Sequence, residues 1–206
     1  AGKSLQRLRL GLVEHRNAVG DLGALPESEM RRWVQNEGGP MRDIVLGKTD
    51  HSPDLERAWA AADKVGISNS KELLELLKKG NVNERYWAAV SLRNGFFGEK
   101  RIQQSAFEWI QDVAPSVRIE IAGWLAFFPE KREAALDRLV KDLENPDWAV
   151  ALQACRAIEL LGPKARPVLG TMKKLYAKTR NEPGDNNFFI AFSSGALLDE
   201  LGEKTE

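Results

Sequence analysis

The chain has 206 residues, 43% hydrophobic and 29% charged, a balance that supports a folded core and excludes general disorder. Thirty basic residues match thirty acidic ones, so the basic excess of a dedicated nucleic-acid binder is missing. No apolar run reaches the roughly 18–20 residues of a membrane span, and a single cysteine, Cys155, excludes an internal disulfide framework.

The start, AGKSLQRLRL, has neither an initiator Met nor an apolar signal core and is expected to have been cut from a longer chain. Residues 3–19 predict a first helix, with Leu5, Leu8, Leu12 and Val13 on one side and Arg7, Arg9, Glu14 and Arg16 on the other. Gly20 and Gly23 stop it. Pro26 suits the first turn of a second helix, which Gly38-Gly39-Pro40 breaks. Residues 41–52 read as a connector. Ser52-Pro53 predicts a helix start, with Ser52 as cap, and the helix runs to Gly66. Asn69 and Glu72 suggest a capping box before KELLELLKKG, which Gly80 ends. Glu84–Gly95, ERYWAAVSLRNG, is the next helix, expected to close at Asn94-Gly95 in a left-handed residue.

Residues 99–113 place Ile102, Ala106, Trp109, Ile110 and Val113 on one stripe. Pro115 and Pro129 set off VRIEIAGWLAFF and EKREAALDRLVKDL, and Asn145-Pro146 opens DWAVALQACRAIELLG. ARPVLGTMKKLYAKT, the polar loop RNEPGDNN and FFIAFSSGALLDELG complete the chain. Nothing alternates with the period of two that strands require. The expected class is all-α.

One pacing recurs. Arg85, Ala89 and Leu92 stand at i, i+4 and i+7, followed by Arg118, Ala122, Leu125, then Val150, Ala154, Ala157, then Ile190, Ser194, Leu197. The middle positions are 33, 32 and 40 residues apart, a period of the α-solenoid kind, in which each helix pair buries its face against its neighbours. The expected architecture is a short right-handed α-solenoid of about four helix pairs over residues 53–206, preceded by N-terminal helices and a linker over 1–52. The small middle residues would let helix axes approach.

The phrases VRIEIAGWL and ENPDWAVALQACRAIELLGPKARPVL resemble HEAT repeats. The order of the chain is similar to the C-terminal extension of certain bacterial sulfatases. The phrases that carry this likeness are Asp21-Leu22-Gly23-Ala24-Leu25-Pro26-Glu27, Gly39-Pro40-Met41 and Arg85-Tyr86-Trp87-Ala88-Ala89. The resemblance implies an accessory region downstream of a catalytic domain, in a periplasmic or extracellular protein. It brings no active site: the family's nucleophile lies in a Cys/Ser-x-Pro/Ala-x-Arg motif, and Cys155 is followed by Arg156-Ala157-Ile158.

Candidate sites have plain structural readings beside the functional ones. Cys155 sits on a helix stripe without a histidine near it in sequence and reads as a buried thiol rather than a nucleophile. His15 and His51 lack neighbours at metal-ligand spacing and read as surface or capping residues. Six tryptophans, at 33, 59, 87, 109, 124 and 148, suit packing better than sugar or base stacking, with Trp148 the one expected to be exposed. Arg85 and Arg118 hold matching positions and are expected to tie repeats together through a carboxylate or carbonyl. Trp148, Arg85 and Arg118 form the candidate partner surface. Lys71, Lys78 and Lys79, balanced by Glu72 and Glu75, read as a solvated face.

The leading functional expectation is a non-catalytic interaction or structural domain, not an enzyme, with no cofactor or metal and a protein partner, either its own catalytic domain or another chain. A free-standing HEAT-like scaffold and a HEAT-like DNA glycosylase are the alternatives; the zero net charge weighs against the latter.

Overall fold

The computed structural model describes residues 25, 26, 29, 52–66, 69–182 and 184–203. The helix expected over 3–19, His15, Trp33 and His51 lie outside these residues; of the helix expected after Pro26 only Pro26 and Glu29 are described, and of the 41–52 connector only Ser52. Among the described residues every regular element is helical, an all-α architecture. It divides into two compact units, Ala1–Ala106 and Phe107–Glu206.

In the first unit, α1 (Ser52–Ala62), α2 (Ser70–Lys79), α3 (Val82–Gly95) and α4 (Lys100–Ala106) follow one another through short turns. Ser52 is already helical in α1, one residue before the expected start. Ala58, Trp59 and Ala62 of α1 and Val65 after it join Trp87 and Val90 of α3 and Leu25 in one core. Arg57 of α1 reaches Glu84 of α3 at 2.6 Å. α2 turns the fully buried Leu73 and Leu77, one helical turn apart, to the interior. Its outer face is solvated as expected, with Lys79 paired to Glu75.

Helix starts follow the cap chemistry of the sequence. Asn69 accepts a hydrogen bond from the Glu72 backbone N–H at 2.9 Å. The fuller capping box is at Asn81, whose side chain accepts from the Glu84 N–H at 3.0 Å while the Glu84 carboxylate accepts from the Asn81 N–H at 2.7 Å. α3 therefore begins at Val82, two residues before the sequence-predicted start. Its other end also differs: Gly95 is not left-handed, and the cap is Phe96 at φ −129°. Asn94 donates its side-chain amide to the Val90 carbonyl at 2.7 Å instead of ending the helix.

Residues 99–113 are not one helix. α4 stops at Ala106, and Phe107–Gln111 winds as a 3₁₀ turn that opens the second unit. Val113, expected on the buried stripe, is 88% exposed. Asp112 explains this. Its side chain accepts from the Ala114 N–H at 2.8 Å, closing a local turn that swings Val113 outward before Pro115.

The second unit continues with α5 (Pro115–Leu125), α6 (Pro129–Leu143) and α7 (Trp148–Glu159), then a 3₁₀ segment (Gly162–Val168), α8 (Leu169–Asn181) and α9 (Asp185–Glu200). Pro115 and Pro129 occupy the first helical position, where the missing N–H costs nothing. Asp147 caps α7 through the Ala149 N–H at 3.0 Å. Gly162 has φ +52°, and a side chain there would strike Glu200 Oε1 at 2.6 Å. The positive φ favours glycine there, while the Glu200 carboxylate end could move aside for a side chain. The polar RNEPGDNN stretch is mostly helical at its edges, because α8 runs through Asn181 and α9 begins at Asp185.

Packing in this unit is sequential. α5 touches α6 and α7, α6 also touches α7, α7 touches α9, and α8 lies on α9. Ala122 of α5, Ala154 of α7 and Ser194 of α9 are each fully buried, as is Ala89 in the first unit. Small residues set the α5–α7 approach: a Cβ on Gly123 would lie 3.2 Å from that of Ala157.

Candidate functional site

Arg85, Arg118 and Trp148 were the sequence candidates for a partner surface, and the structure gives the two arginines local contacts. Arg85 is the fourth residue of α3 and donates to the Gly80 carbonyl at 3.0 Å. Arg118 is the fourth residue of α5 and donates to the Val113 carbonyl at 2.9 Å. Arg132, fourth in α6, donates to the Phe127 carbonyl at 3.1 Å. In all three an arginine one turn into the helix folds back on the carbonyl five residues earlier, fastening the incoming loop. Their matching positions reflect this shared helix-entry device. Arg132 was missed in the sequence because the small-residue pacing does not include its helix.

Arg118 also ties α5 to α6. Its guanidinium meets Asp142 of α6 through Nε at 3.1 Å to each carboxylate oxygen and through Nη2 at 2.6 Å to Oδ1. Arg138 grips the same carboxylate through Nε and Nη2, both at 3.1 Å. Asp142 is 1% exposed and the Arg118 side chain 12%. Two guanidinium forks thus neutralise one buried carboxylate, and the cluster holds α5 to α6. The Gly80 carbonyl that Arg85 meets lies just before its own helix.

Trp148, the first residue of α7, is half-buried. Trp59, Trp87 and Trp124 are buried and Trp109 is half-buried, in line with packing roles.

Cys155 is fully buried at the α7–α9 contact, where its S–H donates to the Ile190 carbonyl at 3.8 Å. Burial pushes the thiol up to about 11. A thiol held protonated at neutral pH is a poor nucleophile. Beside it Ser193 of α9 donates to Glu159 of α7 at 2.6 Å. The Ser194 hydroxyl bonds back to the Ile190 carbonyl at 2.7 Å, which lets a polar residue occupy a buried seam position. Among the described residues no group of three or more His, Cys, Asp or Glu side chains is arranged to hold a metal ion.

One concave feature lies outside these contacts. Between α8 and α9, Tyr176, Thr179, Arg180, Phe188, Ala191 and Phe192 line an open groove of about 360 Å³. Phe188 is 66% exposed, Phe189 51% and Phe192 70%. Arg180 lies over the Tyr176 ring, 5.4 Å from its centre. The tryptophan count drew attention in the sequence, whereas the exposed aromatics prove to be phenylalanines. FFIAF alone reads as core, and only the packing of α8 shows which of its faces stays open.

No protein-family model and no curated protein matches the sequence.

Proposed function

We propose that the chain is a non-catalytic helical-repeat domain whose role is to hold and orient protein partners, the accessory region of a sulfatase-type hydrolase. The observation that carries this reading is the order of contacts in the second unit. α7 lies against both α5 and α9, with α6 and α8 packed alongside, and the paced residues Ala122, Ala154 and Ser194 are all buried. That order suits a two-layer α-solenoid of the HEAT kind, in which each layer contacts only its neighbours. The phrases from Asp21–Glu27 to Arg85–Ala89, which resemble those of sulfatase C-terminal regions, support this choice of parent.

The single thiol is protonated and buried, and the buried charges Asp142, Arg118 and Arg138 are mutually engaged. Two assays test the proposal. The isolated chain should leave p-nitrophenyl sulfate unhydrolysed above buffer; turnover that survives repurification would contradict a non-catalytic role. Deleting residues 53–206 from the longer polypeptide should impair its assembly or solubility, and unchanged activity, solubility and assembly would refute the accessory role.

A further inference from the structure

From Leu160 to Asn181 the chain carries the cations Lys164, Arg166, Lys173, Lys174, Lys178 and Arg180 and no acid, although acids equal bases over the whole sequence. All of them are exposed. α8 buries Met172 and Thr179, two turns apart, and directs Lys174 and Lys178 the opposite way. The other exposed residues of α8 are Gly170, Lys173, Ala177, Arg180 and Asn181. Its outer face is therefore a short basic strip without a large apolar side chain.

Local contacts account for part of the strip. Lys173 pairs with Glu203 at 2.6 Å, and Lys164 lies 5.3 Å from the centre of the Phe127 ring. Lys178 and Arg180, in the last turn, suit the negative end of the helix dipole. Lys174 has none of these. It stands one turn from Lys178 as a like charge, an arrangement that weakens an isolated helix, and neither lysine meets an acid among the described residues. Folding gains nothing from keeping the two together.

We infer that this strip docks a short acidic segment of a protein partner. The inference deepens the protein-holding role of the chain and rests on that reading. Charge complementarity selects an anionic partner, and the bounds of the strip select its kind. Glu182 closes it just beyond Arg180, and Glu203 closes it at Lys173. Lys173 and Arg180 are seven residues apart, about 10 Å along a helix. A long polyphosphate would run onto the carboxylates at either end, whereas a peptide segment bearing about three or four acids fits between them. A helix that lies in a lipid interface needs a broad apolar face beside its cations, and Ala177 is the largest apolar residue exposed on α8.

Fluorescence anisotropy of a labelled peptide of about 12 Glu, Asp and Ser residues, titrated with the full chain in about 50 mM salt, tests this. Saturable binding is expected, and Lys174→Glu/Lys178→Glu should weaken it at least about tenfold. Lys71→Glu/Lys78→Glu makes the same change in net charge on α2, where Glu75 already balances both lysines, and should leave binding within about twofold. Far-UV circular dichroism and Tm close to the parent chain's would show that both variants are folded. Lys174→Gln/Lys178→Gln removes the charges without reversing them and should weaken binding in the same direction. Absence of saturable binding overturns the proposal, and so does a loss shared equally by the α2 and α8 variants. An oligothymidylate of about 12 nucleotides, or phosphatidylserine vesicles, bound more tightly than the peptide would also overturn it, in favour of nucleic acid or a membrane surface. Deletion of residues 53–206 tests the protein-holding reading separately. Impaired assembly there without peptide binding sinks the strip alone, and unchanged activity, solubility and assembly sink the reading beneath it.

Discussion

Replacing Asp142 by alanine should be among the most damaging single changes in the second unit. The carboxylate is 1% exposed and takes five hydrogen bonds from two guanidinium groups, at 2.6–3.1 Å. Removing one partner of such a cluster leaves the other charges buried and uncompensated, at a cost of about 3–5 kcal/mol. The Arg118 and Arg138 side chains retain 12% and 20% exposure. Water can therefore recover part of their solvation, and the lower end, about 3 kcal/mol, is expected. For a chain of this length that lowers Tm by about 6–12 °C. Arg138→Ala should cost less, because Arg118 still holds the carboxylate. Replacing all three residues by apolar side chains of similar volume should recover much of the loss, since no charge is then stranded. Thermal denaturation followed by circular dichroism reads all three, and the cost of Asp142→Ala should persist in molar salt because the pair is shielded from solvent. A Tm change below about 2 °C for Asp142→Ala would refute the reasoning.

Three further outcomes follow from other contacts. Ala122→Leu adds volume at a fully buried position and should cost about 1–3 kcal/mol through overpacking; an unchanged Tm would show that the α5 seam has been misplaced. Asn81→Ala removes the side-chain half of the α3 capping box and should cost about 0.5–2 kcal/mol, seen as a lower urea midpoint at constant slope. Cys155 should resist a disulfide reagent in native buffer and react on unfolding. Its folded value of about 11 lies above that of an unfolded thiol, near 8.5. The unfolded chain therefore loses its proton first, and the thiol's contribution, full below pH ~8.5, is lost as pH rises towards about 11, by ~3 kcal/mol. Cys155→Ala should flatten that part of the stability profile, and an identical profile would refute the assignment.

What could be read from the sequence depended on how local each cause is. Helix punctuation by Pro115, Pro129 and Asn69 acts within a turn, so it was legible. The buried middle positions at Ala89, Ala122, Ala154 and Ser194 were legible too, because small residues recur at helical spacing. Where two local causes competed, the reading failed. At Val113 a continued helix lost to the Asp112 turn, and at Gly95 a left-handed stop lost to an ordinary helical residue. Contacts between helices were largely invisible. Asp142 was not singled out in the sequence, because its partner Arg118 lies 24 residues earlier on another helix. Likewise Phe188 and Phe192 could not be told from core aromatics without α8 beside them.

Truncation after Val168 tests the layered account most directly. It removes α8 and α9 and uncovers the α7 face that carries Cys155. If layers are stabilised by their neighbours alone, α5 to α7 keep their helical signal and unfold cooperatively at a lower temperature, with Trp124 still buried. Cys155 then becomes reactive in native buffer. Loss of the helical signal from the whole second unit, or a thiol that stays protected in a folded truncated chain, would contradict the account.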